Sequence, residues 1–377
     1  MSEFKVTFKT LTPLWTGDAE RKNTKLRETG IIGSLRWWYE ALIRGLGGSV
    51  CDPTSDNKCK LNQEKFKKAL RKGKPIQDAL SEQICPVCQL FGCTGWARKF
   101  RLEIESINLA VIPEIKIGTR EKRVIKGKER YLIRNAKGFM ADGSIVLKFI
   151  PLRKISSNEW ALLNKTLKII ADYGAFGSHT SQGNGVIQIV ENHLPYRDEK
   201  FEKSELKGKG NNINFPNLDN FFFYKFQIKF TKNISELIDE EIFWIHSSDH
   251  NSFQDDWGNW KKLWNNYHFL PIAFHIRDTI RHLDGNRTRR HATFGTGGRN
   301  AQGSRVFVSH GHRISNVTVE IRIWGYDVEE SIKNKIKEEL ENKLKEKLFS
   351  KGEYKGSLEI CTLTEEKTGK EILKGLK

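Results

Sequence analysis

No stretch of about 18 uninterrupted apolar residues occurs in the 377-residue sequence, so no transmembrane helix is expected. No secretory leader is expected either. The N-terminus, MSEFKVTFKT, is charged and alternates, where a leader would run basic and then apolar. Both absences point to the cytoplasm. Acidic residues are in deficit: 46 Asp and Glu stand against 64 Lys and Arg, a net charge of +18. A chain with that surplus is expected to meet polyanions, of which nucleic acid is the commonest. The apolar share is 38% with 31 glycines, which excludes a wholly disordered or fibrous chain. Cysteines are few, yet five of the six lie between Cys51 and Cys93, a clustering that suggests metal rather than disulfides in a reducing compartment.

The chain opens with strict alternation, Phe4, Val6 and Phe8 against Lys5, Thr7 and Lys9, the period of a strand. A turn-rich run, Thr12 to Asp18, leads to a polar stretch carrying Arg21, Lys22, Lys25 and Arg27. From Gly33 the apolar residues Leu35, Trp38 and Leu42 fit one helical face, with Arg36, Glu40 and Arg44 as a polar stripe, and Ser34 is placed to cap that helix. Residues 49–98 read as a cysteine-containing insertion with a short basic helix near Gln63 to Lys72. Strand-like segments follow at Phe100 to Ala110, Val111 to Gly118 and Gly143 to Leu152. The last two flank a basic loop with seven cationic residues (Lys116, Arg120, Lys122, Arg123, Lys126, Lys128, Arg130) and two acids. Ser157 to Tyr173 is a second amphipathic helix, followed by a glycine-rich loop and a strand at Val186 to Val190. The order β–α–insertion–β–β–α–loop–β is compatible with a ferredoxin-like, RNA-recognition-type sandwich.

The polar stretch from Asp198 to Asn220 reads as a linker. The second half restarts with an alternating strand, Phe221 to Phe230, and a helix, Ser235 to Ile245. Strand-like pieces lie at Phe269 to Ile276, Arg305 to Ser309 and Asn316 to Trp324. Trp257, Trp260 and Trp264 share one helical face, better suited to core or subunit contact than to a ligand. Between Arg277 and Arg313 eight arginines face two aspartates, and five of the ten histidines lie at 275–312. The helix from Asp327 to Lys347 balances its charges. The positive surplus is therefore localised.

Two glycine-rich loops, Gly174 to Gly185 and Gly295 to Arg305, each precede a strand. Glycine lets backbone approach a ligand, and exposed amides can hold phosphate oxygens. Both lack the strand–glycine–helix order and the Gly-Lys-Ser/Thr ending of nucleotide-hydrolysing loops, which makes that activity a poor reading. Each could equally be a tight turn. The cysteines Cys51, Cys59, Cys85 and Cys88 could close a tetrahedral zinc site, with Cys93 to spare, or could be buried free thiols. A redox role for Cys85-Pro86-Val87-Cys88 lacks its thioredoxin-like context.

Three motifs in order carry a resemblance. They are Thr12-Pro13-Leu14-Trp15-Thr16-Gly17-Asp18 running into Gly33-Ser34-Leu35-Arg36-Trp37-Trp38, then Cys85-Pro86-Val87-Cys88-Gln89-Leu90-Phe91-Gly92, then Gly177 to Gly183-Asn184-Gly185. Together they resemble the RAMP superfamily of CRISPR systems, and within it the first Cmr-type subunit family of type III-B effector complexes. The second half is similar more weakly, through Leu270 to Phe274 and Arg289 to Thr293. The sequence departs from the pattern at His179 and Gln182, where Arg or Lys often stands, and at Ala175.

The resemblance implies an α+β protein of two tandem ferredoxin-like (RRM-like) domains, 1–200 with the insertion 49–98 and 221–377, joined by a linker at 201–220. It implies an RNA-binding subunit without a catalytic centre, holding the 3′ region of the CRISPR RNA, target RNA, or both, beside other RAMP subunits of a Cmr complex. Candidate RNA contacts are Arg21, Lys22, Arg27, Ser34 and Arg36; Lys116, Arg120, Lys122, Arg123, Lys126 and Arg130; Gly177, His179, Gln182, Gly183 and Gly185; and Arg277, Arg281, Arg287, Arg289, Arg290, Arg299 and Arg305. Trp37, off the main apolar face, either packs or stacks on a base. The rival is a CRISPR-RNA-processing endoribonuclease of the same fold, with a general base among His275, His282, His291, His310 and His312 and Asp18 as its carboxylate. A pure assembly subunit is a third possibility.

Overall fold

The computed structural model describes every residue except 1–2, 18–24, 107–108, 113–114, 126–127, 142–143, 198, 207, 211–215, 244–255, 297–300, 350–351 and 377. Asp18, Arg21, Lys22, Lys126 and Arg299 therefore lie outside the described residues.

In the first half the alternating segment forms β1 (Phe4–Thr10), with Val6 and Phe8 buried and Lys5 and Lys9 exposed. Helix α1 (Glu28–Gly45) buries Leu35, Trp38 and Leu42 beneath it. The cysteine region holds α2 (Gln63–Arg71), α3 (Ile76–Ser81) and α4 (Pro86–Phe91). Next come β2 (Phe100–Ser106), β3 (Leu109–Val111), β4 (Ile115–Ile125), β5 (Lys128–Ala136), β6 (Phe139–Ala141) and β7 (Ile145–Pro151). Helix α5 (Ser157–Tyr173) starts in a capping box: Ser156 accepts from the Glu159 amide, and the Glu159 carboxylate accepts from Ser156. That carboxylate also meets the buried Lys99 ammonium at 2.7 Å, which ties the helix start to the chain entering β2. The half closes with β8 (Ile187–Asn192). Its sheet is antiparallel in the order β2-β7-β1-β8.

The second half contains β9 (Phe221–Phe230), α6 (Ile234–Asp239), α7 (Asp256–Tyr267), β10 (Phe269–Leu270), α8 (Ala273–Arg281) and α9 (Arg287–Phe294). It continues through β11 (Val306–Val308), β12 (Gly311–Arg313), β13 (Thr318–Tyr326), α10 (Glu330–Lys347), β14 (Leu358–Thr368) and α11 (Gly369–Gly375). Its antiparallel sheet runs β10-β12-β13-β9-β14, with β11 also on β13. The chain is thus a mixed α/β protein with antiparallel sheets. Trp260 and Trp264 are buried in the second core.

Three local expectations change. The 116–130 segment is not a loop: it is the hairpin of β4 and β5, paired from Ile115↔Ala136 to Ile125↔Lys128. Ile115, Ile117 and Ala136 at its base are buried in the core of the second half, so the cationic arm is rooted there. Ser34 does not cap α1, because the helix begins two turns earlier at Glu28, where the Arg27 amide donates to Thr16 Oγ1 at 2.9 Å. Phe269 to Ile276 is strand only as far as Leu270. Pro271 offers no donor to a ladder, and Ala273, Ile276 and Ile280 fall at helical spacing on the buried face of α8.

The halves share apolar contacts. Phe221, Phe223, Trp324, Ile372 and Leu373 join the core of the first half, and Phe201, Leu206 and Leu218, from the segment between the two strand sets, are buried in it too. Arg44 donates to the Pro216 carbonyl at 3.0 Å, and Arg322 to that of Ala171 at 2.7 Å.

Candidate nucleic-acid interface and metal centre

The run after β1 is held flat against its neighbours. Leu14 and Phe139 exchange backbone hydrogen bonds at 2.8 and 2.9 Å, and the Lys137 ammonium sits 4.6 Å above the Trp15 ring. The Trp15 carbonyl accepts from the Ser178 amide at 2.9 Å, which brings the first glycine-rich loop onto this run. The loop needs its glycines. Gly177, Gly183 and Gly185 have φ of +77°, +110° and +94°, and a Cβ on Gly185 would stand 2.0 Å from the Phe176 carbonyl oxygen. His179 itself adopts φ of 60°, its ring edge-on to Trp15 with centroids 4.9 Å apart and Nδ1 3.3 Å from Gln182 Oε1.

Between the two halves lies a cleft of about 510 Å³. One wall is α1, presenting Thr29, Gly33, Ser34 and Trp37, and another is Gly177 and Ser178 of the first glycine-rich loop. Gly303 and Ser304 of the second glycine-rich loop close it, with Phe307 and Tyr326. Trp37 is half-buried and lies 5.0 Å from Trp38 and 6.1–6.2 Å from Phe221, Phe307 and Tyr326, so it packs at the junction of the halves and still faces the cleft. Small residues, hydroxyls and aromatic rings around one space suit a phosphate and an adjoining base.

The structure therefore brings together Ser34, Gly177 and both glycine-rich loops. It turns Arg36 elsewhere. Arg36 Nε contacts Glu40 at 2.9 Å, Nη1 the Gly92 carbonyl at 3.1 Å and Nη2 the Cys88 sulfur at 3.3 Å. Arg277 also points inward, clamping the second loop through the carbonyls of Val306 (2.9 Å) and Phe294 (2.6 Å) and the Ser304 hydroxyl (3.1 Å). Arg289 forks onto Asp284 at 2.8 and 2.9 Å and holds that carboxyl down at about 2. Arg287 and Arg305 are exposed, and Arg27, Arg281 and Arg290 are half-buried. Lys116, Arg120, Lys122, Arg123 and Arg130 are spread along the hairpin strands. Sequence reasoning did not single out Thr29, Phe307 or Tyr326, which reach the cleft only through packing. Lys137 was missed for the same reason.

The four expected cysteines do converge. Cys51, Cys59, Cys85 and Cys88 are all buried and their sulfurs lie within 4.8 Å of one another. Cys51 Sγ is 3.5 Å from Cys88 and 3.8 Å from Cys85. Four sulfurs placed tetrahedrally about 2.3 Å from a zinc ion would stand about 3.8 Å apart, so the set fits such an ion. Helix α4 starts between the last two, with Pro86 at its first position, and the Cys85 amide donates to Cys59 Sγ at 3.3 Å. Burial works against the Arg36 charge, but Glu40 and Cys88 outweigh it and keep the guanidinium protonated beyond its usual range. A cation beside the four sulfurs would offset the negative charge that metal-bound thiolates carry.

Of the five candidate histidines, His275, His310 and His312 are buried, and His275 stands close enough to His310 for its charge to bear on it. His310 is fully buried, accepts from the Ala273 amide at Nδ1, and donates its own amide to Gly183, joining the first glycine-rich loop to the second half. Burial pushes both His310 and His312 down to about 3. In the unfolded chain each titrates near 6.5, so as pH falls below that value the unfolded state takes up protons the folded state refuses. Stability is expected to fall from about pH 6.5 towards about pH 3, by about 1.4 kcal/mol per pH unit for each ring. Denaturant melts between about pH 6 and 4 check this, and His310→Gln should remove about half of the two rings' share of the slope.

These features define an α+β protein of antiparallel sheets with a glycine-lined cleft between its halves. Within that class, residues 7–188 match the family model of the RAMP superfamily. The whole chain is similar to Cmr1 from Pyrococcus furiosus in its apo crystal structure, with 10% identity over 96% of this chain and 98% of that one and a TM-score of 0.38. It is also similar to a chain of the type III-B Cmr-beta complex bound to cognate target RNA, with 12% identity over 91% and 99% and a TM-score of 0.36. No curated protein matches the chain. Among the described residues no helix is long and apolar enough to cross a membrane.

Proposed function

We propose that this chain is a non-catalytic RNA-binding subunit of a type III-B CRISPR (Cmr) ribonucleoprotein in the cytoplasm. It is built from two tandem ferredoxin-like units. In each, the first strand of the sheet, β1 or β9, lies between the strand that closes the unit (β8 or β14) and the strand before its last long helix (β7 or β13). It holds the 3′ region of the CRISPR RNA, target RNA, or both, beside other RAMP subunits. The cleft between the halves, with glycine-rich backbone on two sides and Trp37, Phe307 and Tyr326 within it, is the observation that carries the reading. The RAMP match of 7–188 and the +18 net charge support it. A structural zinc on Cys51, Cys59, Cys85 and Cys88 would fix the insertion against α1; bound there, it supplies cross-linking alone. The endoribonuclease reading is disfavoured by the depth of His310 and His312 and by the weak basicity that burial gives them.

The hairpin arm offers the direct test. Reversing Arg120, Lys122 and Arg123 to Glu should weaken binding of single-stranded RNA and lower the slope of log affinity against log salt by up to about three. An unchanged slope removes the arm from the RNA surface.

A further inference from the structure

A second cleft between the halves, of about 680 Å³, is lined by residues other than those of the aromatic cleft. Lys9 of β1 and Lys168 of α5 line it from one half, and Lys225 of β9, His312 and Arg313 of β12 and Arg322 of β13 from the other. Some of these charges are matched: Lys168 pairs with Asp172 at 2.8 Å and Lys225 with Glu365 at 2.7 Å. Others are matched only loosely. Arg322 is 6% exposed, and among the described residues its guanidinium makes one hydrogen bond, Nη1 on the Ala171 carbonyl, and one long ion pair with Glu320. Its Nε has no hydrogen-bond partner, with Glu320 Oε1 3.7 Å away. His312 Nδ1 is buried without a partner as well, while Nε2 lies 3.5 Å from that same carboxylate. Lys9 is exposed and makes no ion pair among the described residues. A desolvated guanidinium left with unpaired donors is costly unless something else completes it. Lys9 across the cleft supplies the second cation that an anion would need.

We infer that this second cleft is a phosphate-binding site, built on Arg322 and Lys9, that takes a phosphate group of an RNA backbone. A guanidinium held by one hydrogen bond and one long ion pair keeps donor capacity for phosphate oxygens, and the exposed Lys9 on the facing wall brings a second positive charge to the same group. The RNA-binding reading enters only in the source of the phosphate; the site's preference for a phosphoryl anion stands on these side chains alone. His312 and Glu320 behind Arg322 orient the guanidinium and are positioning residues.

The experiment uses the full chain and the variants Lys9→Glu and Arg322→Lys. Thermal melts are recorded with inorganic pyrophosphate against chloride of equal ionic strength, and single-stranded RNA affinity is measured across a salt series. Pyrophosphate is expected to raise the melting temperature of the wild type and not of Lys9→Glu, and that variant should lower the RNA salt slope by about one. Arg322→Lys keeps the charge without the fork and should lose most of the pyrophosphate effect; should it fail to fold, the exposed Lys9 position still decides. If Lys9→Glu abolishes the pyrophosphate effect while RNA binding is unchanged, the site exists but its phosphate is that of a free compound, and the RNA source is overturned. If the wild type answers to pyrophosphate yet binds no RNA, the phosphate site stands and the RNA-binding reading falls. If pyrophosphate acts no differently from chloride and the RNA slope of Lys9→Glu equals that of the wild type, the inference is overturned even where RNA binds in the aromatic cleft.

Discussion

Replacing Cys88 by serine, or stripping the chain with a strong chelator, is expected to lower its stability by more than about 3 kcal/mol and to remove one zinc ion per chain. Cys85 and Cys88 are 0% and 1% exposed and belong to the core that also holds Leu80, Val87 and Leu90. The helices α2, α3 and α4 are only 9, 6 and 6 residues long, too short to hold themselves in water. A zinc ion on Cys51, Cys59, Cys85 and Cys88 would tie the start of α4 to the chain ahead of α2 and give the insertion a fixed place. Losing it also leaves Arg36 and Glu40 buried beside an altered cluster, so the damage should reach α1 and the cleft wall. Metal analysis and denaturant melts of the purified chain check the expectation. Cys93→Ser, outside the set of four, should keep both metal content and midpoint. A chain that carries no zinc and melts identically with and without chelator would remove the metal centre.

Gly185→Ala is expected to be as damaging, by about 3 kcal/mol or more, though it adds a single methyl group. The new Cβ would stand 2.0 Å from the Phe176 carbonyl oxygen, and the backbone there holds φ of +94°. Both the atom and the conformation are refused. The Phe176 amide donates to Gly185 and the Gly185 amide to Pro13, so the displaced loop would pull the Thr12 to Gly17 run from its seat. RNA binding should be lost with it. Gly258→Ala is the matched control: it lies in α7 with nothing near its added Cβ, and should raise stability slightly. Midpoints of the two variants, measured side by side, should differ in sign.

The parts of the architecture written in local periodicity could be read directly. Helix α5 runs from Ser157 to Tyr173 as expected, because Ser156 and Glu159 mark its start and Gly174 its end. The alternation of β1 and β9 was equally plain. The convergence of the cysteines followed from ligand chemistry, although Cys51 and Cys59 form a less regular half-site than Cys85 and Cys88. What escaped were features set by distant contacts. Phe269 to Ile276 reads as strand and the arginine-rich stretch after it as a basic region without an assigned element, yet Ile276, Ile280 and Phe294 bury in the second core and the chain folds into α8 and α9. The cationic hairpin looked like loop for the same reason, since its described anchors, Ile115, Ile117 and Ala136, lie in the core of the other half. Arg36 is the sharpest case. A cation at the mouth of a glycine-opened helix suggests phosphate, and nothing local says that Cys88, 52 residues later, will claim it. Arg322 was passed over because a lone cation in a strand carries no pattern of its own.

RNA binding without cleavage is the property that separates this reading of the chain from its rivals. The direct test incubates the purified chain with a labelled single-stranded RNA of CRISPR-RNA length over a salt series, and runs each sample on a native and a denaturing gel. The prediction is intact RNA, bound at low salt, with affinity falling steeply as salt rises. Cut RNA, or no binding even at the lowest salt, would contradict it.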